Sequence, residues 1–163
     1  LVSHLGEMDP SITPRMPVLN SPLLSIHVSI IMISYALLSL TFISAIAYFL
    51  TCNSKRESVM AANRQLTVLS QIFLYPAITT LGLGIFIGAI WANISWGSYW
   101  GWDPKETWAL ITFMIYAVPL HTNSFSALGK PKNYHLFMLL SFFSILMTYF
   151  GVNYILGGMH SYA

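Results

Sequence analysis

The chain reads as an all-α integral membrane protein: a bundle of about four transmembrane helices with an external tryptophan-rich loop. Three observations carry this. Of the 163 residues, 56% are hydrophobic and only 7% are charged, whereas a soluble domain carries about a quarter charged residues. Four apolar stretches, separated by short polar segments, each approach the roughly 20 residues that a helix needs to cross a bilayer core. No stretch alternates with the period of a strand, and no internal repeat aligns. The composition excludes a disordered chain and leaves too few charges to cover a water-soluble enzyme. A net charge of +2 is too small to suggest nucleic-acid binding. The single cysteine, Cys52, excludes an internal disulfide and a thiolate metal cage.

The segment 1–21 contains Pro10, Pro14 and Pro17 and reads as an extended external arm. It starts at Leu1 without a signal-peptide pattern, which suggests part of a longer polypeptide. Residues 22–163 read as the transmembrane domain. The first helix is expected at about 23–50, without a charge, and the second at about 66–93. The third is expected at about 104–128, kinked where Pro119 removes a donor and frees a carbonyl. The fourth is expected at about 134–156. Lys55, Arg56, Arg64, Lys130 and Lys132 fall in the two segments at one end of the bundle. The other end holds Arg15 and Lys105 with Glu7, Asp9, Asp103 and Glu106. The positive-inside rule then puts the arm, the tryptophan loop and the C-terminal tail outside the cytoplasm.

All five tryptophans lie between Trp91 and Trp108, and most of them in the loop at about 94–108. An interfacial aromatic belt is one reading. A belt marks both membrane faces, and the inner segments contain no tryptophan, which favours a surface for a flat, apolar ligand that glycines let the backbone approach. Asp103, Pro104 and Glu106 spell a helix start with a capping box. Lys105 is read as solvated in preference to pairing with a ligand carboxylate.

The histidines are His4, His27, His121, His135 and His160. His27 and His160 fall at the end where the tryptophan loop emerges, and two neutral imidazoles there can hold a heme iron from opposite faces. Ordinary interfacial histidines are the other reading. His121 lies roughly 25 Å from the outer edge by helical rise, where an ionisable residue is a functional candidate by default. A hydrogen bond to a nearby carbonyl is the other reading of His121. His4 and His135 are expected to be solvated.

The run Trp96-Gly97-Ser98-Tyr99-Trp100-Gly101-Trp102-Asp103-Pro104-Lys105-Glu106-Thr107-Trp108 closely resembles the "WWD" signature of heme-handling cytochrome c assembly proteins. Its Pro-Lys-Glu-Thr-Trp continuation resembles the CcsA (ResC) component of the system II synthase; system I proteins share the WWD core and differ after Asp-Pro. The similarity covers nearly the whole chain, including the segment around His27, Leu120-His121-Thr122 and Gly158-Met159-His160-Ser161-Tyr162. The resemblance implies that His27 and His160 are axial ligands of an external heme b, iron protoporphyrin IX. It implies that Trp96, Gly97, Tyr99, Trp100, Trp102 and Asp103 form the surface that receives it. His121 would belong to an inner transmembrane heme site whose partner comes from a segment outside these residues.

The implied activity is holocytochrome c synthase (cytochrome c heme-lyase), exercised as part of a full-length protein or complex, with heme export from the cytoplasmic side. No residue of the loop presents itself as an acid-base catalyst. The implied partners are an apocytochrome c with a Cys-x-x-Cys-His motif, a CcsB-type component, fused or separate, and membrane lipid. A fusion behind CcsB, known in several bacteria, would account for the missing Met. The implied location is the bacterial inner membrane, or alternatively a plastid thylakoid membrane. Two readings from other classes remain open: a di-heme b-type electron-transfer subunit, and a non-heme scaffold or transporter subunit anchored by its tryptophans.

Overall fold

The computed structural model describes residues 21–121 and 125–156, and among these it is helical without a strand. Helix α1 runs Pro22–Thr51 and α2 runs Glu57–Trp96. Helix α3 runs Pro104–Ala117 and tightens into a 3-10 turn at Val118–His121. A second 3-10 turn, Ser126–Gly129, leads into α4 at Pro131–Leu146, which winds on as a π-helix over Met147–Leu156. The arm, His4, His160 and the terminal Gly-Met-His-Ser-Tyr run lie outside the described residues.

Each start has a local cause. The Ser21 side chain accepts from Leu23 N at 3.3 Å, and Pro22 opens α1, a position where the missing proline donor costs nothing. Pro104 and Pro131 open α3 and α4 in the same way. Helix α2 ends at Gly97, whose φ of 76° is the left-handed C-cap that glycine adopts without a Cβ penalty. At Pro119 the expected break is a 3-10 turn, and the Ile115 carbonyl left by the proline accepts the Val118 N–H.

The helix bounds differ from the sequence expectation in an instructive way. Helix α2 begins at Glu57 instead of about 66, because its first turns are polar yet remain good helix. Among the described residues three segments are long and apolar enough to span a membrane: Pro22–Thr51, Glu57–Trp96 and Pro131–Leu156. The third expected span stops short of residue 128. Helix α3 with its 3-10 turn still rises about 29 Å, close to the ~30 Å hydrocarbon thickness.

Helices α1 and α2 form an antiparallel hairpin. His27 near the start of α1 meets Gly88 near the end of α2, while Thr51 bonds Asn63 at 2.7 Å at the opposite end. Helix α4 lies along the other side of α1, with Phe42 stacked on Phe142 at 4.1 Å and Tyr48 on His135 at 4.3 Å. Helix α3 closes the bundle against α2 through Gly82 and Phe113, and against the π-helix through Thr112 and Thr148, 3.0 Å apart. Leu38, Leu74, Leu81, Tyr116, Tyr134 and Met138 form the buried centre. The outward faces carry Met32, Ile33, Ile43, Leu83, Phe86, Leu140 and Phe143, as lipid-facing surfaces require. Several hydroxyls are satisfied within their own helices: Ser29, Ser39, Ser44 and Thr79 each bond the carbonyl one turn back, which lowers the desolvation cost of a polar group in hydrocarbon.

One histidine expectation is overturned here. His135 is fully buried, not solvated. Its ring lies between Tyr48 and Tyr134, and its Nε2 is 3.0 Å from Thr67 Oγ1. The cause is packing: the first turn of α4 faces α1 and α2 across a tight aromatic contact, so the imidazole acts as a core ring with one polar tether.

Candidate functional site

At the tryptophan-loop end, α1, α2, α3 and the π-helix enclose a cavity of about 180 Å³. His27 lines it and is held firmly. Its Nδ1 is 2.7 Å from the Gly84 carbonyl. A carbonyl only accepts, so Nδ1 carries the proton and the ring lone pair is on Nε2. A backbone carbonyl in this role is the common way to orient a ligating imidazole.

The ring fits because α2 presents glycine there. A Cβ on Gly88 would stand 2.6 Å from His27 Cε1, and one on Gly84 would stand 2.5 Å from Ile31 Cδ1. His27 and Ile31 are one turn apart on α1, and Gly84 and Gly88 are one turn apart on α2. The small residues thus form the groove into which the larger pair packs.

The aromatic wall comes from Trp91, Tyr99 and Trp100, with Tyr35 and Tyr149 on other helices. Trp91 is only 2% exposed and packs edge-on against Trp96 at 4.9 Å. The loop that carries Trp100 is fixed by the start of α3. Asp103 Oδ1 accepts from Lys105 N at 3.0 Å, and Glu106 Oε2 accepts from Asp103 N at 3.3 Å, completing the capping box. The same Glu106 oxygen accepts from Gly101 N at 2.8 Å. Glu106 therefore ties down the backbone on both sides of Trp102. That residue has φ of 56°, a left-handed conformation costing about 1–2 kcal/mol for a residue with a Cβ, and charge-assisted bonds offset it. Trp102 is 72% exposed and stands edge-on to Trp100 at 5.9 Å.

Of the residues assigned from the sequence, His27, Tyr99 and Trp100 come together in this cavity. Trp96, Gly97, Trp102 and Asp103 do not line it. Trp96 backs Trp91, Gly97 ends α2, Trp102 projects outward and Asp103 caps α3. His121 is exposed at the other end, with Nδ1 3.0 Å from its own helix carbonyl at Ala117. His160 falls outside the described residues. Lys105 differs from expectation. It lines the cavity, and its Nζ donates to Asn153 Oδ1 at 2.9 Å. Sequence reasoning did not single out Gly88, Trp91, Tyr35 or Asn153. The Gly84-x-x-x-Gly88 spacing was the available signal for the first, since small residues one turn apart mark a close helix approach.

A family model described as cytochrome C assembly protein matches residues 1–160. Protein NrfI of Wolinella succinogenes is 45% identical over 99% of this chain and 18% of its own length. Cytochrome c biogenesis protein CcsA of Chlamydomonas reinhardtii is 36% identical over 92% of the chain and 43% of its own length. CcsA of Cyanophora paradoxa is 34% identical over 93% and 61%. The chain thus spans less than two thirds of the length of these relatives.

Proposed function

The chain belongs to the cytochrome c assembly protein family, and on that premise we propose that it binds heme b at its tryptophan-loop end and presents it to apocytochrome c. The observation that carries the proposal is His27, held at Nδ1 by the Gly84 carbonyl in the wall of an aromatic cavity. An imidazole held at Nδ1, aromatic side walls and a lysine in the lining suit an iron porphyrin, which is flat and apolar and bears carboxylates. Heme needs no thiolate cage, because imidazole nitrogens suffice as axial ligands.

His27 supplies one axial nitrogen and His160 the other. Trp100 and Tyr99 flank the porphyrin, while Trp96, Gly97, Asp103 and Glu106 act by setting the shape of the loop. Trp102 stands outside the cavity as the face offered to the incoming protein. The apocytochrome brings a Cys-x-x-Cys-His segment whose histidine replaces one of the two axial residues. Each cysteine S–H adds across one vinyl group: a C–S bond forms, the thiol proton ends on the neighbouring carbon, and no electron is gained or lost overall. This chain contributes orientation, since both reacting groups belong to substrates. Holocytochrome c synthase activity belongs to the full-length protein or complex, with a CcsB-type component as partner.

His121, exposed at the basic-loop end, serves an inner heme site completed by a segment outside these residues. The loops bearing Lys55, Arg56, Arg64, Lys130 and Lys132 face the cytoplasm, and the tryptophan loop faces the periplasm or, in a plastid, the thylakoid lumen.

The test is maturation of a reporter cytochrome c with Cys-x-x-Cys-His in cells depending on this protein. His27→Ala and His160→Ala each abolish maturation, and added imidazole restores part of it by supplying the missing nitrogen. Full maturation in both variants contradicts the proposal.

A further inference from the structure

We infer that Lys105 is the carboxylate-recognising group of the cavity, so that the site selects a flat apolar ring bearing carboxylates over the same ring with those groups blocked. This rests on the porphyrin reading above and deepens it. Lys105 carries the only permanently cationic side chain among the described residues lining the cavity. The other charged group there is Glu106, whose carboxylate is engaged by the Gly101 and Asp103 amides. Glu106 therefore has a structural task at the loop.

Lys105 is oriented, not loose. Its backbone is fixed by the Asp103 cap, and its Nζ donates to Asn153 on the π-helix at 2.9 Å. A lysine at a helix start in water extends into solvent. Here the bond to Asn153 ties the ammonium to the π-helix, and Lys105 lines from α3 the same cavity that His27 lines from α1. An ammonium has three N–H donors and accepts nothing, so it serves Asn153 and a ligand carboxylate together. A half-buried ammonium discriminates strongly between a carboxylate and its neutral ester, because the ester loses both the charge and one acceptor oxygen. With a ring held by His27, a bond from Lys105 to one of its carboxylates would limit how the ring can turn. The two vinyl groups of protoporphyrin IX lie away from its propionates, so such a bond would keep the reacting carbons away from Lys105.

The experiment titrates the protein in lipid nanodiscs with iron protoporphyrin IX and, separately, with its dimethyl ester, following the Soret band. Wild type prefers the free acid by about ten-fold or more, as a charge-assisted hydrogen bond implies. Lys105→Met brings that preference close to unity, and Lys105→Arg keeps it. Comparing the ratio between variants cancels the different partitioning of acid and ester into lipid. A preference unchanged in Lys105→Met, or equal weakening of both ligands, overturns the inference and leaves the porphyrin reading standing. His27→Ala separates the two. It alters the Soret position with the free acid, and an unaltered spectrum there overturns the porphyrin reading and this inference with it.

Discussion

Gly88 is the residue on which the placement of His27 depends. Alanine there puts a methyl carbon 2.6 Å from the imidazole, so the ring must leave its bond to Gly84. Overpacking of this kind costs about 1–3 kcal/mol, and the displaced imidazole no longer faces the cavity. Gly88→Ala is therefore expected to lose bound heme as His27→Ala does, read by the Soret absorbance per protein. Gly129→Ala, where a Cβ meets nothing within 4 Å, keeps it. Glu106 plays the corresponding part for the loop. Glu106→Ala removes the acceptor from the Gly101 and Asp103 amides and leaves the left-handed Trp102 without support. Faster hydrogen exchange at residues 99–103 is expected, with about 1–2 kcal/mol of local stability lost. Exchange unchanged there would mean the loop is held by something else. At this scale much was legible: Asp103, Pro104 and Glu106 spell a capping box, and the structure contains it. Lys105 was not legible, because the Asn153 that captures it is 48 residues away and only the tertiary fold brings them together.

Helices carry the residues to their places by packing rather than by propensity. The aromatic contact of α1 with α4 illustrates this. At the basic-loop end Tyr48 stacks on His135 and Tyr134 meets it edge-on, and Thr67 on α2 provides the only hydrogen bond to His135 Nε2 among the described residues. Thr67→Val leaves that nitrogen buried without a partner and is expected to lower stability by about 1–3 kcal/mol, measured as a drop in thermal midpoint in detergent. Thr79→Val, whose hydroxyl bonds only its own helix at an exposed position, should stay within about 0.5 kcal/mol of wild type. Equal midpoints for the two variants would remove the case for an α2–α4 tether. The existence of these helices was readable from apolar length, and their winding was not. The 3-10 turn after Ala117 follows from Pro119, a visible signal. The change from α to π at Met147 falls within a mostly apolar run, where apolar side chains occupy every face and the pattern has no clear phase to read. His135 escaped for the same reason: a polar residue near a helix start looks solvated until the neighbouring helices are in place.

For the molecule as a whole, the proposed orientation rests on the asymmetry between its two ends. Basic residues collect at one end and tryptophans at the other, and this was readable from composition and spacing alone. The native Cys52, at the end of α1 beside Lys55 and Arg56, gives a label without engineering. A membrane-impermeant maleimide is expected to modify Cys52 only from the cytoplasmic side, in inverted vesicles. In a Cys52→Ser background, Ser98→Cys in the loop should react only from the opposite side. The reverse pattern would place the proposed heme cavity in the cytoplasm and exclude delivery to a cytochrome outside it. The convergence of His27 with Trp100 across α1, α2 and the loop is a property of the folded bundle. The sequence indicated the shared end, and the close packing at Gly84 and Gly88 explains how the ring and the loop come to share one cavity.

Electron paramagnetic resonance of the ferric, heme-loaded protein is the deciding measurement. Two imidazoles on one iron give a low-spin signal, and His27→Ala should convert it to high spin, with added imidazole returning the low-spin form. A low-spin signal that persists unchanged in His27→Ala would show that the iron is held elsewhere, and the account of this cavity would fail.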